Sequence, residues 1–130
     1  NRLSIQDLSS IANQPMENEK FVIVFNGEIY NHLEIRKELK RDFKTHSDTE
    51  TLLFAFSEFG IKNTINKLNG MFAIALFDKI EQKLYLIRDR VGIKPLFWSF
   101  RGGEFVFASE LKAIKDKKVD ENSKIKFLSL

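Results

Sequence analysis

Four short polar stretches sit where apolar segments begin or end, and each carries residue types able to do chemistry. Asn26 and Gly27 follow an apolar run directly. Glycine lets a backbone N–H approach a ligand closely, and the neighbouring asparagine amide adds a second donor. Two donors aimed at one point stabilise a developing oxyanion. Glu28 then falls on the same rim. The competing reading is bland: Asn-Gly between apolar runs is also the strongest two-residue hairpin signal, and on local sequence alone the hairpin is favoured. Asp48 is either a helix-start acid suited to the macrodipole or a carboxylate that holds a ligand's ammonium, the cap being the simpler account. Arg2, within RLSI at residues 2–5, offers a cation beside a strand end. Residues 88–96 (RDRVGIKPL) combine charges, a Gly and a Pro, and read as a structured turn joined by ion pairs.

The elements that must position these groups follow from periodicity. Residues 21–25 (FVIVF) form an unbroken apolar run, expected as a strand covered on both faces. NHLE at 31–34 fits a capping box, with Asn31 accepting from the backbone at Glu34 and Glu34 reaching back. The helix after it places Ile35, Leu39 and Phe43 at steps of four. SDTE at 47–50 repeats the capping logic, and Leu52, Ala55, Phe56 and Phe59 then mark one buried helix face, with Gly60 as its stop. Residues 71–78 (MFAIALFD) read as a buried strand with Ala73 and Ala75 on a small-residue face. Further strands are expected at 83–88, 97–101 and 104–108, the last two as a hairpin across Gly102-Gly103. A short helix at about 110–115 would follow. A strand, helices and then a run of strands give an α+β layout with helices stacked on sheets.

Composition narrows the function classes. At 130 residues the chain is sized for one domain. The net charge of +3 is located in residues 111–130, which hold six Lys against three acids and leave a neutral body of 15 basic and 15 acidic groups. Nucleic-acid binding would need basic residues clustered on one face with aromatics between them, so no nucleic-acid partner is expected. The apolar runs are far shorter than the roughly 20 residues that span a bilayer, and no membrane association is expected. His32 and His46 stand apart without ligand-like spacing, so no metal site is expected. The chain has no cysteine, which excludes disulfides and agrees with a cytoplasmic setting.

RLSI (2–5), QPM (14–16), FNGEIYNH (25–32), SDTE (47–50), LNGMFAIALFD (68–78), RDRVGIKPLFW (88–98) and FASELKAI (107–114) occur in one order. That order closely resembles the glutaminase domain of glutamine-hydrolysing asparagine synthetases, among the class II glutamine amidotransferases. The resemblance implies an N-terminal-nucleophile (Ntn) hydrolase-like αββα four-layer sandwich. It also implies an N-terminal cysteine that attacks the side-chain amide of L-glutamine, with its own α-amino group as base, forming a thioester and releasing ammonia. On that resemblance Asn26 and Gly27 correspond to the oxyanion hole, Arg2 to the partner of the glutamine α-carboxylate, and Asp48 to the holder of its α-ammonium. A guanidinium fork suits the carboxylate task. Glu28 and the backbone of Leu3, Ser4, Ile5 and Gln6 correspond to the pocket lining. The hairpin reading of Asn26-Gly27 loses to the family one, in which the strand ends at the glutamine pocket and Asn31 starts a helix.

One departure from the pattern matters. The family's cysteine precedes the RLSI segment, whereas this sequence opens at Asn1 beside Arg2 and contains no cysteine. The expectation is a chain lacking the fold's first strands and helix, with residues 1–115 a partial amidotransferase domain and 116–130 a linker toward an absent synthetase domain. As it stands it should not hydrolyse glutamine. An exposed sheet edge would then favour a homo-oligomer or strand-exchanged dimer. No Gly-rich phosphate loop occurs, so no cofactor is expected in this domain, with ATP and Mg confined to the synthetase half. A non-catalytic glutamine-binding or interaction module of the same fold is the alternative.

Overall fold

The computed structural model describes residues 15–90 in full and residues 4–7, 97–101, 104–108 and 125–129 as backbone strands. The elements run β1 (Ser4–Asp7), β2 (Met16–Glu17), β3 (Phe21–Ile29), α1 (His32–Leu39), α2 (Asp48–Phe59), α3 (Ile61–Lys67), β4 (Gly70–Asp78), β5 (Lys83–Arg88), β6 (Phe97–Arg101), β7 (Glu104–Ala108) and β8 (Ile125–Ser129). They form a five-stranded sheet of order β2-β3-β4-β5-β8 and a three-stranded sheet of order β1-β7-β6. The class is α+β, as expected.

Strand β3 is apolar enough to be central. It pairs antiparallel with β4 over its full length, and β4 pairs antiparallel with β5. Period-2 alternation sends Phe21, Ile23 and Phe25 of β3, with Phe72, Ile74 and Leu76 of β4, into one cluster with Ile35, Leu39, Leu52, Phe56 and Ile65 of the three helices. The opposite face is buried as well: Val24, Ala73, Ala75, Leu84 and Leu86 are all at most 1% exposed. Burial on both faces is why β3 and β4 read as nearly continuous apolar runs.

Three local outcomes differ from the sequence reading. Strand β3 runs past the expected 21–25 to Ile29, so Asn26-Gly27 stays within the ladder, in keeping with the choice against a hairpin there. A third helix, α3, begins directly after Gly60, whose φ of 87° ends α2. Glycine's tolerance of positive φ allows the sharp break, and Thr64 secures the new helix by donating its hydroxyl to Ala55 O at 2.9 Å. Strand β8 falls inside the stretch read as linker and pairs parallel with β5, with Ile125 opposite Leu84 and Phe127 opposite Leu86. The Lys-rich composition around it hid an alternation of Ile125, Lys126 and Phe127. The β6–β7 hairpin has the expected register, Arg101 opposite Glu104, while the helix expected at 110–115 lies outside the described residues.

Candidate functional site

The site is built where β3 leaves the core. Gly27 has φ +135°, and a Cβ there would overlap the Met71 carbonyl oxygen of β4. Only glycine fits, because both the dihedral and the cross-strand backbone exclude a side chain. Gly70 reciprocates: a Cβ at that position would overlap the Glu28 carbonyl oxygen. Two glycines thus let β3 and β4 close together at residues 27–29 and 70–72. In the ladder Asn26 lies opposite Ala73 and Ala73 opposite Arg88, so Asn26 belongs to the sheet face turned away from the helix-facing cluster. Asn26 and Gly27 are half-buried and Glu28 is exposed, giving polar groups at a rim rather than in the core.

Asp48 reaches this rim from a different element. Its Oδ2 accepts the Ile29 backbone N–H at 3.1 Å, so the first residue of α2 is fastened to the end of the strand that carries Asn26, Gly27 and Glu28. Asp48 is therefore more than a helix-start acid. Ser47 is the N-cap, and its side chain accepts from Glu50 N.

Residues that sequence reasoning did not assign to the site hold this corner. Glu50 is buried at 4% exposure and accepts from Lys44 N at 2.8 Å, Thr45 N at 2.7 Å and Thr45 Oγ1 at 2.7 Å. Burial alone would raise its pKa. The hydrogen bonds from Lys44 and Thr45, with the charge of Arg36, outweigh that and hold the carboxyl below its usual range. Glu50 thus departs from the expected box, since it braces the preceding loop rather than reaching back to Ser47. Arg36 of α1 donates from Nη2 to Ser47 O at 2.8 Å and from Nε to Thr51 Oγ1 at 2.6 Å. The SDTE spacing flagged Glu50 as a cap residue; nothing local flagged Arg36, because its partners are a carbonyl and a hydroxyl on another helix.

The α1 start corrects a second expectation. Asn31 makes no side-chain cap. Its Nδ2 donates to Lys67 O at 2.7 Å and its Oδ1 accepts from Asn69 N at 3.0 Å, tying the β3–α1 connection to the α3–β4 loop.

The remaining candidates divide by element. Arg2 and Leu3 lie outside the described residues, while Ser4, Ile5 and Gln6 are in β1, paired parallel with Glu104, Phe105 and Val106 of β7. In the RDR segment, Asp89 is buried and its Oδ2 accepts Phe72 N at 2.8 Å, which extends the β4–β5 pairing and supports a structural role there. A cleft of about 310 Å³ opens beside Gly70, Asp89 and Arg90, apart from Asn26 and Asp48. Among the described residues no three His, Asp or Glu converge as metal ligands, and no helix is long and apolar enough to cross a membrane.

A strand end bearing Asn-Gly-Glu, closed against its neighbour by glycines and joined to a helix-start aspartate, brings amide, backbone N–H and carboxylate groups to one end of the sheet. The family model of the glutamine amidotransferase domain matches residues 1–129, and the chain belongs to that family. It is 45% identical over 116 residues to asparagine synthetase [glutamine-hydrolyzing] 2 of Bacillus subtilis, covering 87% of this chain and 15% of that one. It is 36% identical over 129 residues to putative asparagine synthetase [glutamine-hydrolyzing] 2 of Methanocaldococcus jannaschii, covering 87% and 25%. Among solved structures it is similar to glutamine phosphoribosylpyrophosphate amidotransferase from B. subtilis complexed with ADP and GMP. That match has a TM-score of 0.64 at 26% identity and covers 78% of this chain and 25% of that one. The chain thus spans a quarter or less of the length of these relatives.

Proposed function

We propose that these residues form the glutamine pocket of an asparagine-synthetase-like amidotransferase, which releases ammonia from free L-glutamine for an ATP-using synthetase partner. The observation that carries the reading is the 3.1 Å hydrogen bond from Ile29 N to Asp48 Oδ2, which joins an ammonium anchor to the strand bearing the oxyanion donors. In this reading the Asp48 carboxylate takes the substrate α-ammonium and Arg2 pairs with its α-carboxylate. Glu28 and the backbone of residues 3–6 line the pocket, and two charged anchors select a free amino acid over a protein-bound glutamine side chain. When a thiol attacks the side-chain amide, the carbonyl oxygen becomes an oxyanion held by the Asn26 amide and the Gly27 N–H. The C–N bond then breaks, ammonia leaves, and water releases glutamate from the thioester. The thiol itself is not among these 130 residues. The fold is proposed as the four-layer Ntn-hydrolase sandwich, with the two sheets as its inner layers. ATP and Mg²⁺ belong to the synthetase partner, and a cytoplasmic setting goes with both substrates.

The test is Asn26→Ala in the full-length protein. Glutaminase rate should fall by about 10²–10³-fold while ammonia-dependent synthesis persists. Equal loss of both activities would make Asn26 structural and sink the assignment.

A further inference from the structure

We infer that Arg36 is a positioning residue for Asp48, and that through it the α1–α2 junction sets the preference for a ligand bearing a free α-ammonium. This rests on the glutamine reading above. The guanidinium is gripped on three sides. Nη2 donates to the carbonyl of Ser47, the residue immediately before Asp48, at 2.8 Å. Nε donates to Thr51 Oγ1, just past the first turn, at 2.6 Å. The Phe43 ring lies 4.0 Å from the guanidinium carbon. The two donors therefore straddle Asp48 in sequence, and a rigid planar fork fixes the turn on which its carboxylate is mounted.

None of the four ion pairs among the described residues involves Arg36. Its hydrogen-bond partners are neutral, so its fork orients the turn, while its charge also favours the Glu50 carboxylate. The helix's own cap is weak by comparison, since Ser47 Oγ accepts from Glu50 N at 3.3 Å. Without Arg36 the first turn would be held mainly by Glu50 and its loop, leaving the longer His32 Nδ1–Thr51 Oγ1 contact of 3.4 Å and the shared apolar core as its ties to α1. Asp48 uses one carboxylate oxygen on Ile29 N, so a small rotation of the turn must either break that bond or turn the other oxygen from the ligand. Small misplacements of a charged anchor are costly where the geometry is tight.

The test compares L-glutamine with 4-carbamoylbutanoate, which is glutamine without the α-amino group, as the ratio of their dissociation constants in the full-length protein. Thermal unfolding is followed in parallel. Asp48→Asn should cut the preference for L-glutamine by about 10- to 100-fold. Arg36→Met and Thr51→Val should each cut it by about three- to tenfold through weaker L-glutamine binding alone, and Arg36→Lys should restore part of it. If Arg36→Met and Thr51→Val weaken both ligands equally, or neither, Arg36 is only structural and the inference falls. Should Arg36→Met fail to fold, the near-isosteric Thr51→Val decides. If Asp48→Asn leaves the preference intact, the glutamine reading has failed instead.

Discussion

The starts of α1 and α2 carry the same capping pattern, NHLE and SDTE, and they do different work. At α2, Ser47 caps the helix, Asp48 is fastened to Ile29 and Glu50 is buried among donors from the preceding loop. At α1 the cap position is held by Asn31, whose amide is turned to Lys67 and Asn69, while Glu34 remains exposed. One helix start carries a candidate ligand anchor and is braced from three directions. The other is a joint between β3 and the α3–β4 loop. The difference lies in what stands nearby: α2 starts where Asp48 can take the Ile29 N–H of β3, whereas α1 starts beside the Lys67 carbonyl and Asn69 N–H, which turn the Asn31 amide away from the helix.

The largest contrast is expected between the two glutamates. Glu50→Ala removes the acceptor for two backbone N–H groups and a hydroxyl, and should cost about 3 kcal/mol in urea unfolding. Glu34→Ala should stay within about 0.5 kcal/mol. Acid separates them again. Because the Glu50 carboxyl is held below its usual range in the folded chain, its contribution is fully present above the unfolded-state value of about 4.3 and is lost as pH falls through the folded one. Stability measured from pH 6 down to pH 3 should therefore drop more steeply in the wild type than in Glu50→Gln. Parallel curves would remove Glu50 from the account of α2.

Asn31 comes next. Asn31→Ala should cost about 2 kcal/mol, since both amide hydrogen bonds to the α3–β4 loop are lost. Asn31→Ser keeps a good capping residue, yet its side chain is too short to span Lys67 O and Asn69 N. It should be destabilised as much as the alanine variant. Recovery by serine would show that Asn31 acts as a cap after all.

These two corners also show how far the sequence carries. Strands β3 to β7 and helices α1 and α2 were legible because apolar period and Gly punctuation act locally, and SDTE located a true cap. Helix α1, however, ends at Leu39, with Lys40 at φ 50°, short of the Phe43 expected on it. Asn26-Gly27 illustrates the limit. Its dipeptide signal favours a turn, but the pairing of β3 with β4 over 21–29 and 70–78 outweighs it, and the glycine serves close backbone approach instead. Helix α3 was hidden because Gly60 reads as a stop and cannot also announce a start. Strand β8 was hidden by lysines. The joining of Asp48 to Ile29, and the reach of Arg36 from α1 to Ser47 O and Thr51, are tertiary. No window of neighbouring residues contains both partners, so the family resemblance pointed to Asp48 while leaving Arg36 unmarked.

The smallest effect concerns the cap at α2, where an ordinary rule should fail. Ser47→Ala should cost about 1 kcal/mol, as for other caps. Aspartate normally replaces a serine cap at no loss, because a negative charge suits a helix N-terminus. Here the first turn already holds Asp48 and the buried Glu50, and Thr45 Oγ1 lies 2.9 Å from Ser47 Oγ while donating to Glu50 Oε1. A third carboxylate would repel both and compete for Thr45. Ser47→Asn, which caps without charge, should stay within about 0.5 kcal/mol of the wild type. Ser47→Asp should be no better than Ser47→Ala at pH 7 and should recover at high salt, where repulsion is screened. If aspartate stabilises α2 at low salt, the first turn is less crowded with negative charge than its three acceptor contacts to Glu50 imply, and the contrast with the open start of α1 is correspondingly weaker.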